Sequence, residues 1–140
     1  MKISAKGRYA LSMLLDLAEH QNEGFITLRD ISERRQISKK YLEQIIPVLN
    51  KANILRTTRG SHGGYMLAKR PENCTAGEIL RLTENTLFNR INSIAEGDEH
   101  IDMRYVPLCD RLDRVVSECL DKIILQDILD WNIDAFDYVI

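Results

Sequence analysis

The sequence has few of the residue patterns that mark secreted or membrane-bound proteins. Its 140 residues include three cysteines, too few and too widely spaced for a disulfide framework or a zinc site built from CxxC pairs. Its longest apolar stretches are interrupted by charges well before the roughly 18 residues needed to span a membrane. The chain opens on an amphipathic pattern rather than an apolar signal core. We therefore expect a soluble, cytoplasmic protein with no membrane partner.

Catalytic motifs are also missing from the sequence. The three histidines, His20, His62 and His100, have no cysteine, serine or aspartate partner at a spacing typical of a catalytic site. Solvated histidines are the simpler interpretation. The glycine-rich stretch around Gly63 is not followed by Lys-Ser or Lys-Thr, which argues against a nucleotide-binding P-loop. The sequence predicts a binding protein rather than an enzyme.

Charge is unevenly distributed along the chain, although the formal net charge is only -2. Residues 1–75 contain 13 Lys and Arg against 7 Asp and Glu, whereas residues 76–140 contain 6 against 14. DNA phosphates attract the first half and repel the second. This distribution fits a DNA-binding segment joined to a protein-binding segment. Chance segregation is the alternative, so the order of elements has to decide between them.

Hydrophobic periodicity predicts three helices in the first third of the chain. An apolar stripe at helical spacing predicts a first helix over about 4–20. Thr27 precedes a two-turn helix that ends near Arg35, and Ser38 caps a third helix. We expect Pro47 to bend this third helix without ending it, because the apolar period continues past the proline. Two helices separated by so short a turn are typical of a helix-turn-helix motif.

Alternating polarity replaces helical periodicity after the third helix. Residues 54–59 and 65–68 form two short runs typical of strands, joined by a glycine-rich turn. A hairpin that follows a helix-turn-helix is typical of a winged helix, in which the second helix of the motif enters the major groove of DNA. We therefore predict a mainly α fold with a small β-hairpin, beginning with a winged helix-turn-helix DNA-binding domain over 1–84.

The remainder of the chain is divided by its periodicity. Thr75 begins a fourth helix, and the polar residues 85–107 predict a flexible loop. An apolar stripe returns over 108–131 and predicts one long helix, whose wide apolar face needs a second copy to cover it. The result would be a homodimer with two half-sites on double-stranded DNA. Residues 132–140 form a C-terminal tail rich in apolar and acidic side chains, which we expect to dock.

The predicted DNA contacts fall into three groups. The start of the first helix provides phosphate contacts, the third helix provides base and phosphate contacts, and the wing places Arg59 in a minor groove. Gln44 suits adenine, and Glu43 can accept from a cytosine amino group. The full set is Ser4, Lys6, Arg8, Ser38, Lys39, Lys40, Tyr41, Glu43, Gln44, Arg59, Gly60, Ser61, His62 and Gly63. An ordinary solvated surface is the alternative for each group.

Three segments resemble the Rrf2 family of bacterial winged-helix regulators, namely MKISAKGRYALSMLLDLA, SKKYLEQIIPVLNKANILRTTRGSHGGYMLA and TAGEILRLTE. The similarity continues more loosely through LDKIILQDIL, which resembles the dimerisation helix of that family. The resemblance implies a repressor that binds palindromic promoter DNA as a dimer. It also implies regulation through the segment between the fourth helix and the dimerisation helix.

The positions of the cysteines indicate which branch of this family the chain resembles. Iron-sulfur-sensing members hold a cluster on three closely spaced cysteines in the regulatory segment. Residues 85–107 contain no cysteine, so the chain is more similar to the cluster-free, CymR-type branch of cysteine-metabolism repressors. We interpret Cys74, Cys109 and Cys119 as buried structural cysteines and predict no cofactor.

Two other functions stay open. One is a sensor that holds a metal or cluster through unusual ligands from Glu99, His100 and Asp102, although a carboxylate-rich loop is ordinarily just solvated. The other is a winged helix used only for protein interaction, against which the basic N-terminal half argues.

The resemblance also implies a partner for the C-terminal tail. Proteins that associate with O-acetylserine thiol-lyase present a C-terminal isoleucine whose carboxylate occupies the substrate site of the enzyme. This chain ends in Tyr138, Val139 and Ile140. Backbone amides of the partner would bind the carboxylate, and an apolar pocket would take the side chain. The alternative is that the aromatic tail packs against its own dimer.

Overall fold

The computed structural model describes residues 2–84 and 102–131, which form six α-helices and one β-hairpin. In chain order these elements are α1 (Ala5–Glu19), α2 (Leu28–Arg35), α3 (Lys39–Lys51), β1 (Leu55–Thr58), β2 (Gly64–Leu67), α4 (Ala76–Thr83), α5 (Tyr105–Asp121) and α6 (Leu125–Asp130). Within the described ranges, no helix is both long and apolar enough to cross a membrane. The predicted class, mainly α with a small hairpin, is confirmed.

Local hydrogen bonds set the start of the first four helices. In each, the hydroxyl of the N-cap residue accepts a hydrogen bond from the backbone N–H three residues later, which satisfies one otherwise unpaired donor of the first turn. These pairs are Ser4 with Gly7 (3.1 Å), Thr27 with Asp30 (3.1 Å), Ser38 with Tyr41 (3.3 Å) and Thr75 with Glu78 (3.0 Å). The predicted helix starts at Thr27, Ser38 and Thr75 are confirmed.

A tight turn separates α2 from α3. Gln36 ends α2 with φ 53 and ψ 43, the left-handed conformation that reverses a chain at a helix end. The Ser32 hydroxyl donates to the Ile37 carbonyl at 2.6 Å and braces the turn. Pro47 lies inside α3, which continues to Lys51, so the proline does not end the helix. The predicted helix-turn-helix is confirmed.

The wing is a two-stranded antiparallel hairpin held against the helices. Leu55 pairs with Leu67 and Thr58 pairs with Gly64 at the two ends of the register. Ile26 adds an isolated bridge to Tyr65 on the outer side of β2. A Cβ atom at Gly64 would lie 2.4 Å from the Ile26 carbonyl oxygen, so only glycine permits this approach.

One buried cluster joins the helices and the hairpin. Its largest fully buried apolar members are Met13, Leu14, Leu17, Ile31, Leu42, Ile45, Leu49, Ile54, Ile79 and Leu125. Leu125 begins α6, so the C-terminal segment contributes to the same core as the N-terminal helices. Two backbone bonds hold it there, from Ala76 N–H to the Ile123 carbonyl at 2.8 Å and from Leu125 N–H to the Cys74 carbonyl at 2.7 Å.

The prediction of one continuous helix over 108–131 is wrong. The helix begins earlier, at Tyr105, and ends at Asp121, and α6 follows as a separate element. Ile124 adopts an extended conformation and bridges Thr75, while its N–H donates to the Asp127 carboxylate at 3.0 Å. Pairing with a distant segment therefore outweighs the helical period at this point. Of the predicted loop, residues 85–101 lie outside the described residues, as does the tail, 132–140.

Candidate nucleic-acid interface

The outer face of α3 carries most of the residues predicted to contact DNA. Lys39, Lys40, Glu43 and Gln44 are exposed, and Tyr41 is 51% exposed. The apolar face of the same helix faces the core, so the predicted division of α3 into a buried and a solvent face is confirmed. The Ser38 hydroxyl caps the helix as an acceptor. Its proton is still free to donate to a phosphate oxygen.

A cleft of about 200 Å³ lies between the start of α1 and the outer face of α3. Its lining residues are Ala5, Lys6, Tyr9, Tyr41, Gln44 and Ile45. The fold thus brings together Lys6, Tyr41 and Gln44, which belong to two of the predicted groups. The rings of Tyr9 and Tyr41 meet at 5.4 Å with an interplanar angle of 45°. Tyr9 was not among the predicted residues, and its one signal in the sequence is that it lies a helical turn after Lys6.

The start of α1 presents its polar side chains to solvent. Ser4, Lys6 and Arg8 are all exposed. The Ser4 hydroxyl accepts from the Gly7 N–H as a helix cap, and the Ser4 N–H donates to Oε1 of Glu84 at 2.5 Å. Ser4 therefore has a structural role in addition to the phosphate contact predicted for it.

The tip of the wing is a compact turn between β1 and β2. Arg59, Ser61 and His62 are exposed there, and Gly60 has φ 105, a conformation that favours glycine. The Gly63 N–H donates to the Gly60 carbonyl at 2.9 Å, which closes the turn. Strand β1 is tied to the end of α3 by a hydrogen bond of 3.0 Å between the Thr57 hydroxyl and the Asn50 side chain. This bond links the wing to α3.

Part of the basic excess of the N-terminal half is engaged inside the fold. Arg34 donates to the Asp16 carboxylate at 3.0 and 2.8 Å, and Arg35 donates to Asp16 at 3.1 Å and to Glu19 at 2.9 Å. Asp16 is only 1% exposed. Burial raises the pKa of Asp16, but hydrogen bonds and charges from the two arginines outweigh it and hold the pKa below its usual value. This cluster joins α1 to α2.

The cysteines of this chain do not fit an iron-sulfur cluster. Cys74 is buried, and burial together with the nearby Glu78 carboxylate raises the pKa of its thiol to about 11, against the opposing effect of Lys69. A cluster ligand must be a thiolate, which this environment disfavours. Cys109 and Cys119 lie ten residues apart on α5, or about 15 Å along the helix. Across 2–84 and 102–131, no group of three His, Cys, Asp or Glu side chains is placed to hold a metal ion.

The predicted burial of the cysteines holds for only one of them. Cys74 is buried as expected, but Cys109 is half-buried and Cys119 is exposed. The prediction that these two are core residues is therefore wrong for the protomer. They lie on α5, none of whose residues is buried within the part of the chain that the structure describes.

Two further predicted sites fall wholly or partly outside the described residues. Of the three residues considered as unusual metal ligands, Asp102 pairs with Arg104, which lowers the pKa of its carboxyl group. Glu99 and His100 lie outside the described residues. The proposed partner-binding residues of the tail, Tyr138, Val139 and Ile140, lie outside them as well.

Known proteins share both the sequence and the architecture. Residues 3–131 match the model of the Rrf2 family, described as iron-dependent transcriptional regulators. The transcriptional regulator CymR of Bacillus subtilis is 35% identical over 132 residues, which cover 94% of this chain and 92% of CymR. The solved structure of CymR, the global cysteine regulator of B. subtilis, has a TM-score of 0.76 at 33% identity, and the match covers 95% of this chain and 99% of that chain.

A further relative matches a shorter stretch of the sequence. The transcriptional regulator IscR of Aliivibrio salmonicida is 41% identical over 87 residues, which cover 62% of this chain and 52% of IscR. Both relatives are helix-turn-helix-type transcriptional regulators. Since the family model and CymR both match almost the whole chain, and the fold carries the helix-turn-helix and wing, this protein belongs to the Rrf2 family of DNA-binding transcriptional regulators.

Proposed function

We propose that this protein is a homodimeric repressor that binds palindromic promoter DNA, with α3 of each protomer in a major groove and the wing beside it. The cleft between α1 and α3 carries this proposal, because Lys6, Tyr41 and Gln44 line it together. A cation and a hydroxyl suited to phosphate then lie beside an amide suited to a base edge. One surface presents both kinds of contact that an operator requires.

The residues of α3 divide by chemistry into base-reading and phosphate-binding groups. Gln44 can bind adenine through two hydrogen bonds, and Glu43 can accept from a cytosine amino group. Lys39, Lys40 and the Tyr41 hydroxyl suit phosphates, which carry no sequence information. All five side chains are exposed, so DNA can reach them without any rearrangement of α3.

The test compares a base-reading residue with a phosphate-binding residue on the same helix. Operators are first selected from genomic DNA, and binding is then measured against them and against operators with single base changes. Gln44→Ala should relax the preference at one base position by about 1–3 kcal/mol. Lys40→Ala should weaken binding to all sequences equally. It should also reduce the salt slope, which is the slope of log affinity against log salt concentration, by about one unit. Unchanged operator affinity in both variants would exclude this surface.

Arg59 is proposed to enter the minor groove that flanks each half-site. The tight wing turn presents it to solvent, and arginine is attracted to the negative potential of narrow, A·T-rich minor grooves. Arg59→Ala should lower affinity and remove the preference for A·T-rich flanks. Arg56→Ala is the matched control, because Arg56 is exposed on β1 away from the tip. An Arg59 variant that keeps the flank preference would contradict the wing contact.

The homodimer is proposed from the uncovered face of α5. Leu108, Leu112 and Val115 are exposed large apolar side chains that recur at helical spacing along this helix. A second copy related by two-fold symmetry would cover both faces at once. It would also present two copies of α3, as a palindromic operator requires.

We propose a role in cysteine metabolism on the basis of the similarity to CymR. In this role, the C-terminal tail would bind O-acetylserine thiol-lyase. The test deletes Val139 and Ile140 and measures both dimer stability and binding to the thiol-lyase of the same organism. One added C-terminal glycine is the matched control, because it keeps the Ile140 side chain and displaces its carboxylate. Capture predicts loss of enzyme binding in both variants with unchanged dimer stability. Absence of binding by the intact protein would end the proposal.

A further inference from the structure

The first turn of α1 contains only half of a usual capping arrangement. In a capping box, the N-cap hydroxyl accepts from the N–H of the third helical residue, and a glutamate at that third position binds back to the N–H of the N-cap. Ser4 makes the first of these bonds, from Gly7 N–H at 3.1 Å. Gly7 occupies the third position and has no side chain, so it cannot make the second.

Glu84, at the end of α4, provides the missing carboxylate from elsewhere in the chain. Its Oε1 accepts a hydrogen bond from the Ser4 N–H at 2.5 Å, although 80 positions separate the two residues. Glu84 is only 7% exposed. A Cβ atom at Gly7 would lie 2.8 Å from the same oxygen and 3.1 Å from the Thr83 hydroxyl. The end of α4, together with the Ile3 side chain at 2.8 Å, thus fills the space that a side chain at position 7 would need.

The contact provides the buried Glu84 side chain with a hydrogen-bond donor. A buried carboxylate is costly without a partner, and here the Ser4 N–H and the positive end of the α1 dipole both face it. The contact connects α4 to the turn of α1 that bears Lys6. Lys6 in turn lines the cleft with Tyr41 and Gln44.

We propose that Glu84 is a positioning residue for DNA binding, which completes the cap of α1 and holds the turn that presents Lys6 to a phosphate. The inference rests on the DNA surface proposed above. Without the Glu84 carboxylate, the first turn of α1 would fray and Lys6 would lose its fixed position. The start of α3 would be unaffected, because Ser38 caps that helix independently. Glu84 therefore acts on the contact from α1 and not on the contacts from α3.

The test is a pair of double-mutant cycles on operator binding by the full-length protein. Lys6→Ala should lower the salt slope of binding by about one unit in the wild-type background and by clearly less in the Glu84→Ala background. Lys39→Ala, which removes a predicted phosphate contact at the start of α3, should lower the slope equally in both backgrounds. Glu84→Gln keeps an acceptor oxygen and should restore the full effect of Lys6→Ala.

Two further variants test whether the coupling comes from the Glu84 contact or from a general folding defect. Gly7→Ala pushes against the Glu84 carboxylate from the α1 side and should reproduce the result of Glu84→Ala. Glu78→Ala is the matched control, because this other carboxylate of α4 pairs with Lys69 and should leave both cycles unchanged.

The outcomes separate the two proposals. Additive effects of Lys6→Ala and Glu84→Ala, or equal coupling of Glu84 to Lys6 and Lys39, would overturn the positioning role alone. If Lys6→Ala and Lys39→Ala are both silent in the wild-type background, the proposed DNA surface is wrong and the role of Glu84 falls with it.

Discussion

Helices α1 and α5 are alike in length and in apolar periodicity but differ in what surrounds them. They contain 15 and 17 residues, and each carries an apolar stripe. Seven residues of α1 are buried, whereas none of α5 is buried within the described residues. Helix α1 lies at the centre of the core, and α5 extends an apolar face beyond it. The same sequence signal therefore accompanies intramolecular packing in one helix and an uncovered surface in the other.

The ion pairs of the two regions differ in the same way. On α1, Asp16 is almost completely buried beneath Arg34 and Arg35. On α5, Asp110 and Arg114 form a pair at 2.8 Å whose side chains are both more than half exposed. A buried carboxylate depends on its partners, whereas an exposed pair is solvated with or without them. Mutations of matched chemistry should therefore have very different effects in the two regions.

The largest effect is expected at Asp16. Asp16→Asn keeps the shape but removes the charge that pairs with two arginines, and we expect the free energy of unfolding to fall by about 4 kcal/mol. Asp110→Asn is the matched control on α5 and should change it by less than about 1 kcal/mol. Urea denaturation at a fixed protein concentration measures both. Equal losses of unfolding free energy in the two variants would contradict the expected difference between the buried ion pair and the exposed one.

The pH dependence provides a second measurement on Asp16. Because its pKa is lower in the folded state than in the unfolded chain, its contribution is complete above the unfolded value of about 4. The contribution is lost as the pH falls through the lower pKa of the folded protein. The difference in unfolding free energy between the wild type and Asp16→Asn should thus be constant near neutral pH and shrink below about pH 4. A difference that grows in acid would contradict this assignment.

The next largest effect is expected on the uncovered face of α5. Val115 is 64% exposed in the protomer, and Val115→Glu would place a charge in the proposed dimer interface. We expect the free energy of dimer dissociation to fall by about 3 kcal/mol, because an unpaired charge is costly to bury. The dissociation constant should therefore rise more than a hundredfold. Sedimentation velocity measures the change. Arg114→Glu, off the apolar stripe, should leave the dimer intact, and an unaffected Val115 variant would place the interface elsewhere.

A smaller effect is expected where the two regions meet. Gly77 on α4 lies so close to α5 that a Cβ atom there would be 2.2 Å from a carboxylate oxygen of Asp121. Arg81 donates to that carboxylate at 2.6 and 2.8 Å and to the Ser117 hydroxyl at 2.8 Å. Gly77→Ala should displace the Asp121 carboxylate from Arg81 and lower the free energy of unfolding by about 1 kcal/mol.

Thermal and urea denaturation provide the measurement for this junction. Ser117→Ala removes one hydrogen bond without adding volume and should cost less than about 1 kcal/mol. If Gly77→Ala is as stable as the wild type, the close packing of α4 against α5 does not contribute to stability.

The smallest effect concerns the reactivity of the cysteines. A pH of 8 is about three units below the Cys74 pKa of about 11. Roughly one molecule in a thousand therefore carries the Cys74 thiolate, which is the form that reacts with iodoacetamide. Cys119 is exposed in the protomer but lies on the face of α5 that the proposed dimer covers, so it should be alkylated first only when the dimer is dissociated, as in Val115→Glu. Peptide mapping measures both rates, and protein unfolded in urea should react at all three cysteines. Rapid modification of Cys74 in the folded protein would contradict its burial.

Much of the local structure could be predicted because it depends on neighbours in sequence. The starts at Thr27, Ser38 and Thr75 each rest on a hydroxyl three residues before its donor. The hairpin follows from alternation and a glycine-rich turn. The outer face of α3 follows from the 3.6-residue period, which is why its exposed residues could be named in advance.

The missed features depend on residues that are distant in sequence. The break between α5 and α6 follows from the pairing of Ile124 with Thr75, which no helical period can indicate. The place of Tyr9 beside Tyr41 depends on how α1 crosses α3. The exposure of Cys119 depends on the lack of any described part of this chain over that face of α5.

Residue order is enough to predict the helix caps, the hairpin and the two faces of α3, since caps, turns and periodicity act over a few residues, and the separation of charge between the two halves is read from it directly. Three contacts become visible in the folded protein: Glu84 binds the N-cap of α1, Asp16 pairs with Arg34 and Arg35, and α6 packs into the core. The Glu84 and α6 contacts join residues dozens of positions apart, and the Asp16 cluster joins two separate helices. Their partners are chosen by packing and by the cost of burying charge, and neither is visible in a local pattern.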